Sequence, residues 1–244
     1  MTSPLLGEFM GTLVLIVLGN GCVANVVLKH SKAHGSGWMV ITSGWAFAVM
    51  SAVFIAIACG SRDAHINPAV TLGFAVASGS YSKVVSYSLA QMSGAFVGSI
   101  LVWVHFGPHW KETEDPKLKR VCFCGVPAIR NLYANVVSEI ICTFLLVFIA
   151  GAIFSRAMIS SGLAGVVGPY LIGCLVWGIG LSLGGTTGYA MNPARDLPTR
   201  LAHTVLPIAG KGSSDWGYAP VPILGPLIGA SLAGLLIRFL HWSA

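Results

Sequence analysis

Hydrophobic positions along this chain run in long unbroken stretches instead of following the short alternation of a half-buried strand. Six stretches, about 5–27, 38–59, 84–106, 132–154, 163–183 and 219–240, each reach the roughly 20 residues that a helix needs to cross a hydrocarbon core of ~30 Å. Two more, 67–77 and 192–202, are too short to span. Both open on the same triplet: Asn67, Pro68 and Ala69 in "AHINPAVTLGF", and Asn192, Pro193 and Ala194 in "GYAMNPARDLPTR". The pattern predicts an all-α membrane protein with six transmembrane helices and two shorter ones.

Asparagine followed by proline is a helix start. Proline suits the first turn, where its missing N–H leaves no bond unmade, and asparagine caps the free N–H groups ahead of it. Asn67 and Asn192 are therefore expected to cap half-helices that begin at Pro68 and Pro193. Non-helical backbone at membrane depth is tolerated only when it is buried in protein or lines a watery cavity, so the two half-helices imply a pore.

The match between the halves extends beyond the triplet. "GEFMGTLVLIVLG" is similar to "SEIICTFLLVFIAG", with Glu8 on Glu139 and Thr12 on Thr143, and "GAFVG" from Gly94 falls on "GPLIG" from Gly225. The chain reads as one channel domain of two repeats, 1–120 and 121–244. Three spans per repeat force the second to enter the membrane from the opposite side, so the half-helices are expected to meet at the midplane.

Composition agrees with a membrane chain. Charged residues make up 9% of the sequence, against about 25% in soluble domains. Residues 1–4 lack a basic leader region, so the first helix is expected to be retained. Cys22, Cys59, Cys142 and Cys174 fall in or beside apolar helices, and Cys122 and Cys124 fall in a polar loop. All six read as packing residues, because no metal-ligand spacing completes them. No nucleophile with its base, phosphate loop or metal cluster is present, so an enzyme is not expected and neither is a cofactor or nucleic-acid partner. A secondary transporter would need ion-coupling groups beyond Glu8 and Glu139.

"HINPAV", "MNPARD", the two Glu-led helix starts and the glycine-spaced third and sixth spans together resemble the major intrinsic protein family, the aquaporins and aquaglyceroporins, over nearly the whole chain. The resemblance implies the aquaporin fold, with one pore per subunit in a homotetramer. It also implies that Glu8 and Glu139 accept backbone N–H groups of the loops leading to the half-helices, and that the His65 carbonyl lines the pore. Its selectivity filter falls on Trp45, Gly180, Tyr189 and Arg195. Gly180 stands where water-selective members carry histidine, which implies a wide opening. Asp196 after Arg195, and Pro222 with Ile223, match the aquaglyceroporin branch. The implied function is passive conduction of glycerol, other small uncharged polyols and water through the inner (plasma) membrane, with both termini cytoplasmic.

Several residues depart from that pattern. The approach to the first triplet, "ACGSRDAHINPAV", counted from Trp45 to Asn67, is two residues longer than in a typical glycerol facilitator, which leaves Phe47 as an alternative to Trp45; its Arg62 and Asp63 read as a solvated salt bridge at the inner mouth. Tyr189 replaces a usual phenylalanine, and its hydroxyl adds a donor or narrows the opening. The outer loops hold Lys29, Lys32, Lys111, Lys117, Lys119, Arg120, Arg130 and Lys211, against the positive-inside rule. Such a basic vestibule would concentrate small anions, which makes a lactic acid channel the alternative function.

Overall fold

A computed structural model describes residues 2–160 and 163–242. Its helices are α1 (Pro4–Val27), α2 (Trp38–Ala58), α3 (Pro68–Ser78), α4 (Val84–His105), α5 (His109–Glu112), α6 (Pro116–Val121), α7 (Leu132–Ile153), α8 (Arg156–Ser160), α9 (Leu163–Ser182), α10 (Pro193–Val205) and α11 (Pro220–Phe239). The helices α1, α2, α4, α7 and α11 are long and apolar enough to cross a membrane. With 20 residues, or about 30 Å at 1.5 Å per residue, α9 is the sixth of matching length, and its described apolar part is Val167–Ser182.

The long helices pack as two groups, α1 with α2 and α4, and α7 with α11 and α9; α2 against α9 joins them. The half-helices α3 and α10 cross between the groups: α3 packs mainly on α11 and α10 mainly on α4. Glycine permits the closest of these crossings. A Cβ on Gly234 would lie 2.2 Å from the Gly73 carbonyl oxygen, and one on Gly94 2.1 Å from that of Phe9, so backbone meets backbone where any side chain would force the helices apart.

The segment between α4 and α7, which reads as a polar loop, is folded. Trp110, Cys122, Phe123 and Cys124 are buried with Ala24, Val102, Phe106 and Leu206. Cys122 and Cys124 thus sit in a core, correcting their expected place in a polar loop, and both thiols are free. Burial pushes the Cys124 thiol up to about 12, so it stays protonated and unreactive at neutral pH. Lys111, Glu112, Glu114, Asp115 and Lys117 of this segment are exposed, whereas Lys119 is buried.

Candidate functional site: two half-helix starts and an arginine corner

Each half-helix begins as its sequence dictates. Asn67 is extended and its Oδ1 accepts the Ala69 N–H at 2.8 Å; Asn192 does the same for Ala194 at 2.9 Å. Pro68 and Pro193 occupy the first turns. The amide nitrogens reach across the junction: Asn67 Nδ2 donates to the Met191 carbonyl at 2.8 Å and Asn192 Nδ2 to that of Ile66 at 3.0 Å. The two N-termini are therefore pinned to each other, and their positive dipole ends converge.

The loops that feed these starts are strained in parallel. Ala64 and Ile66 have φ of 45° and 46°, and Tyr189 and Met191 have 38° and 49°. A β-branched residue at such a φ is a genuine outlier, costing about 1–3 kcal/mol. Two buried carboxylates offset that cost. Glu8 accepts the N–H groups of His65 at 2.9 Å and Ile66 at 2.6 Å, the Ser61 hydroxyl at 2.6 Å and the Gln91 amide at 2.7 Å. Glu139 accepts the N–H groups of Ala190 at 2.9 Å and Met191 at 2.8 Å, and the Thr187 hydroxyl at 2.6 Å. The His65 ring is occupied separately, with Nδ1 3.2 Å from Thr71 Oγ1 and its face stacked on Phe74.

Arg195 lies in the first turn of α10. Its guanidinium carbon is 4.2 Å from the centre of the Trp45 ring and 5.7 Å from that of Tyr189. Among the described residues the guanidinium makes no hydrogen bond or ion pair. Trp45 of α2 is buried against α1, where Gly19 makes room for its ring, whereas Phe47 is 65% exposed on the outer surface of the bundle. The geometry thus puts Trp45, not Phe47, beside Arg195.

Gly180 does not leave the opening empty. A Cβ there would lie 2.8 Å from Cζ of Tyr189 and 3.0 Å from its hydroxyl, so the tyrosine ring fills the space. The hydroxyl is buried without a hydrogen-bond partner in the protein. On the other side of the asparagine junction a cavity of about 530 Å³ runs from Arg62 and Asp63 to Asn67 and Asn192. Leu15, Val49, Val53, Leu146, Ile172 and Val176 form its apolar wall, and the Ala64–His65–Ile66 loop its polar one.

The salt bridge expected between Arg62 and Asp63 is replaced by another. Asp63 accepts from Lys83 Nζ at 2.6 Å and from the Tyr87 hydroxyl at 2.8 Å, while Arg62 lines the cavity. Partial burial alone would raise the Asp63 pKa, but these two donors outweigh it and hold the carboxyl below its ordinary value. Three of the eight basic loop residues are engaged with the protein. Arg130 pairs bidentately with Asp215 at 2.6 and 3.1 Å, the Lys119 ammonium donates to the Ala209 carbonyl, and Lys211 donates to the carbonyls of Thr204 and Leu206.

Asp196 carries a part that the residue pattern did not reveal. It pairs with Arg200, wholly buried, through Nε at 2.6 Å and an Nη at 2.7 Å, and it also accepts the Gly125 N–H at 2.7 Å. Arg200 donates further to the carbonyls of Ser214 at 2.6 Å and Asp215 at 2.9 Å. The legible signal was two opposite charges at i, i+4 within an embedded helix. Among the described residues there is no group of three or more His, Cys, Asp or Glu side chains able to hold a metal.

A family model described as "Major intrinsic protein" matches residues 2–237. The chain belongs to the major intrinsic protein family. Among members of that family, it is 52% identical over 239 residues to a "Probable glycerol uptake facilitator protein" of Thermotoga maritima, covering 98% of this chain and 99% of the relative. It is 50% identical to "Glycerol uptake facilitator protein 3" of Lactiplantibacillus plantarum, covering 98% of each, and 39% identical to the "D/L-lactic acid transporter" of the same organism, covering 96% of this chain and 95% of the relative. In fold it is similar to the X-ray structure of the aquaglyceroporin from Plasmodium falciparum, with a TM-score of 0.80, 24% identity, and coverage of 97% of this chain and 95% of that one. This major intrinsic protein is thus an integral membrane protein with the aquaporin fold.

Proposed function

We propose that this protein is a passive channel for glycerol, other short uncharged polyols and water, excluding protons and ions, with Trp45, Gly180, Tyr189 and Arg195 as its selectivity filter. The observation that carries the reading is the Arg195 guanidinium, unbonded to protein among the described residues and set against two aromatic rings. A linear polyol has CH groups along one edge and OH groups along the other. Moving the CH edge from water onto the rings recovers about 25 cal/mol per Å², while the arginine N–H groups replace the water lost by the hydroxyls.

The asparagine junction supports exclusion of ions. Each amide has two N–H groups, and one is spent on the opposite loop, leaving the other for a passing oxygen. A water or hydroxyl held there accepts bonds and turns its hydrogens away, and the converging dipoles repel cations. The cavity beyond the junction supports an inner path with His65 and its neighbours as the polar wall. The paired roles of Glu8 with Glu139 and of Asn67 with Asn192 support two inverted repeats, 1–120 and 121–244. By family resemblance the subunits form a homotetramer in the inner (plasma) membrane with both termini cytoplasmic.

Polyol is favoured over lactic acid for two reasons. Similarity to glycerol uptake facilitator protein 3 of Lactiplantibacillus plantarum, at 50% identity, exceeds the 39% to the lactic acid transporter of that organism. Three of the eight loop cations are also already engaged, Arg130 with Asp215 and Lys119 and Lys211 with backbone carbonyls.

A substitution at the glycine tests the filter. In Gly180→His the new Cβ meets the Tyr189 ring at 2.8 Å, so the ring and the imidazole must share the opening. Glycerol flux is expected to fall far more than water flux in stopped-flow light scattering. Equal loss of both would mean that Gly180 does not border the constriction.

A further inference from the structure

Tyr189 is held in its notch by a residue outside the four that form the proposed filter. Trp38, the first residue of α2, sets its ring edge-on to Tyr189, with centroids 5.8 Å apart and planes at 80°. Its Nε1 donates to the Gly180 carbonyl at 3.0 Å. That carbonyl lies in the last turn of α9, where helical acceptors run out of N–H partners, so the indole supplies a missing cap. A Cβ on Gly184 would lie 2.5 Å from Tyr189 Cδ1 and 2.8 Å from Trp38 Cζ2, so both rings press into one glycine-lined recess.

Tyr189 needs such a brace. Its backbone is in the left-handed region at φ 38°, and its hydroxyl has no bond to orient the ring. Glu139 fixes the backbone just beyond it but does not reach the side chain. The ring is therefore placed by shape alone: α9 on one face, Trp38 at the edge.

We infer that Trp38 is a specificity-determining positioning residue, setting the width of the polyol path by holding Tyr189 against Gly180 and Gly184. This rests on the filter reading above. Removing the indole opens space beside Gly184, and Tyr189 can retreat into it, away from Arg195. The path then widens, which favours longer polyols over glycerol.

The test compares the permeability ratio of a five-carbon polyol to glycerol in proteoliposomes at matched protein content. Trp38→Ala is expected to raise this ratio by roughly two- to ten-fold, the range set by one edge-to-face aromatic contact. Trp38→Phe, which keeps a ring edge but loses the N–H, is expected to stay near the parent. In a Tyr189→Ala background, Trp38→Ala is expected to change the ratio no further, because its effect passes through the tyrosine. An unchanged ratio in Trp38→Ala, or a shift that persists without Tyr189, overturns the inference. A parent protein that passes no glycerol defeats the filter reading itself, whereas a conducting parent with an unmoved ratio defeats only the role of Trp38.

Discussion

Glu139→Ala is expected to abolish conduction and to lower stability. The substitution strands the Thr187 hydroxyl and the N–H groups of Ala190 and Met191, all now bonded to one carboxylate. Each buried donor left unpaired costs roughly 1–3 kcal/mol, and the left-handed conformations of Tyr189 and Met191 would relax once released. Relaxation breaks the bond from Asn67 to the Met191 carbonyl and moves Tyr189 out of its notch. Glu139→Gln keeps one acceptor oxygen and should retain intermediate flux. That difference separates a scaffold from a proton relay, in which glutamine would be as damaging as alanine. Flux in Glu139→Ala equal to the parent, at equal abundance, would refute the scaffold.

Arg200→Met is expected to destabilise the fold by about 3–5 kcal/mol, the range for stripping one partner from a buried ion pair. Asp196 would keep only the Gly125 N–H, and the Ser214 carbonyl would lose its Arg200 donor, while that of Asp215 keeps the Tyr218 N–H. These bonds tie the segment after α6 and the segment before α11 to the half-helix that carries Arg195. Adding Asp196→Leu should recover part of the loss, because it removes the stranded charge while the Ser214 carbonyl stays without its Arg200 donor. Unfolding in mixed micelles measures both variants. A single-variant loss below about 1 kcal/mol, the range of an exposed pair, would show that the pair is not sealed from solvent.

The frame of the fold was legible because lipid imposes a length rule, and apolar stretches of spanning length had to become helices. The half-helix starts were legible from Asn67–Pro68 and Asn192–Pro193, whose local chemistry leaves few alternatives. What escaped notice depends on contacts between distant segments. Gly180 reads as an empty position, and only the approach of Tyr189 shows that a neighbour fills it. Asp63 has an arginine beside it in sequence, yet it bonds Lys83, a distance of 20 residues along the chain. Trp38 stands at the start of the second apolar stretch with nothing in the sequence to single it out, and its bond to Gly180 spans 142 residues. Cys122 and Cys124 lie among charges that mask the aromatic core they join.

The central claim is that the filter admits neutral polyols, and stopped-flow light scattering of proteoliposomes tests it most directly. Glycerol and lactic acid should be compared from about pH 4, near the ordinary carboxylate pKa, up to neutral pH, with protein-free vesicles as control. The ion pairs at the two mouths remain intact across that range. Arg130 beside Asp215, and Lys83 with Tyr87 beside Asp63, hold both carboxyls below their usual values, so the stability they add is present above the ordinary pKa and is lost only in stronger acid. Fast glycerol entry with little dependence on pH is the expected result. Slow glycerol entry, with lactic acid flux that rises as pH falls, would contradict the account and make this a carboxylic acid channel.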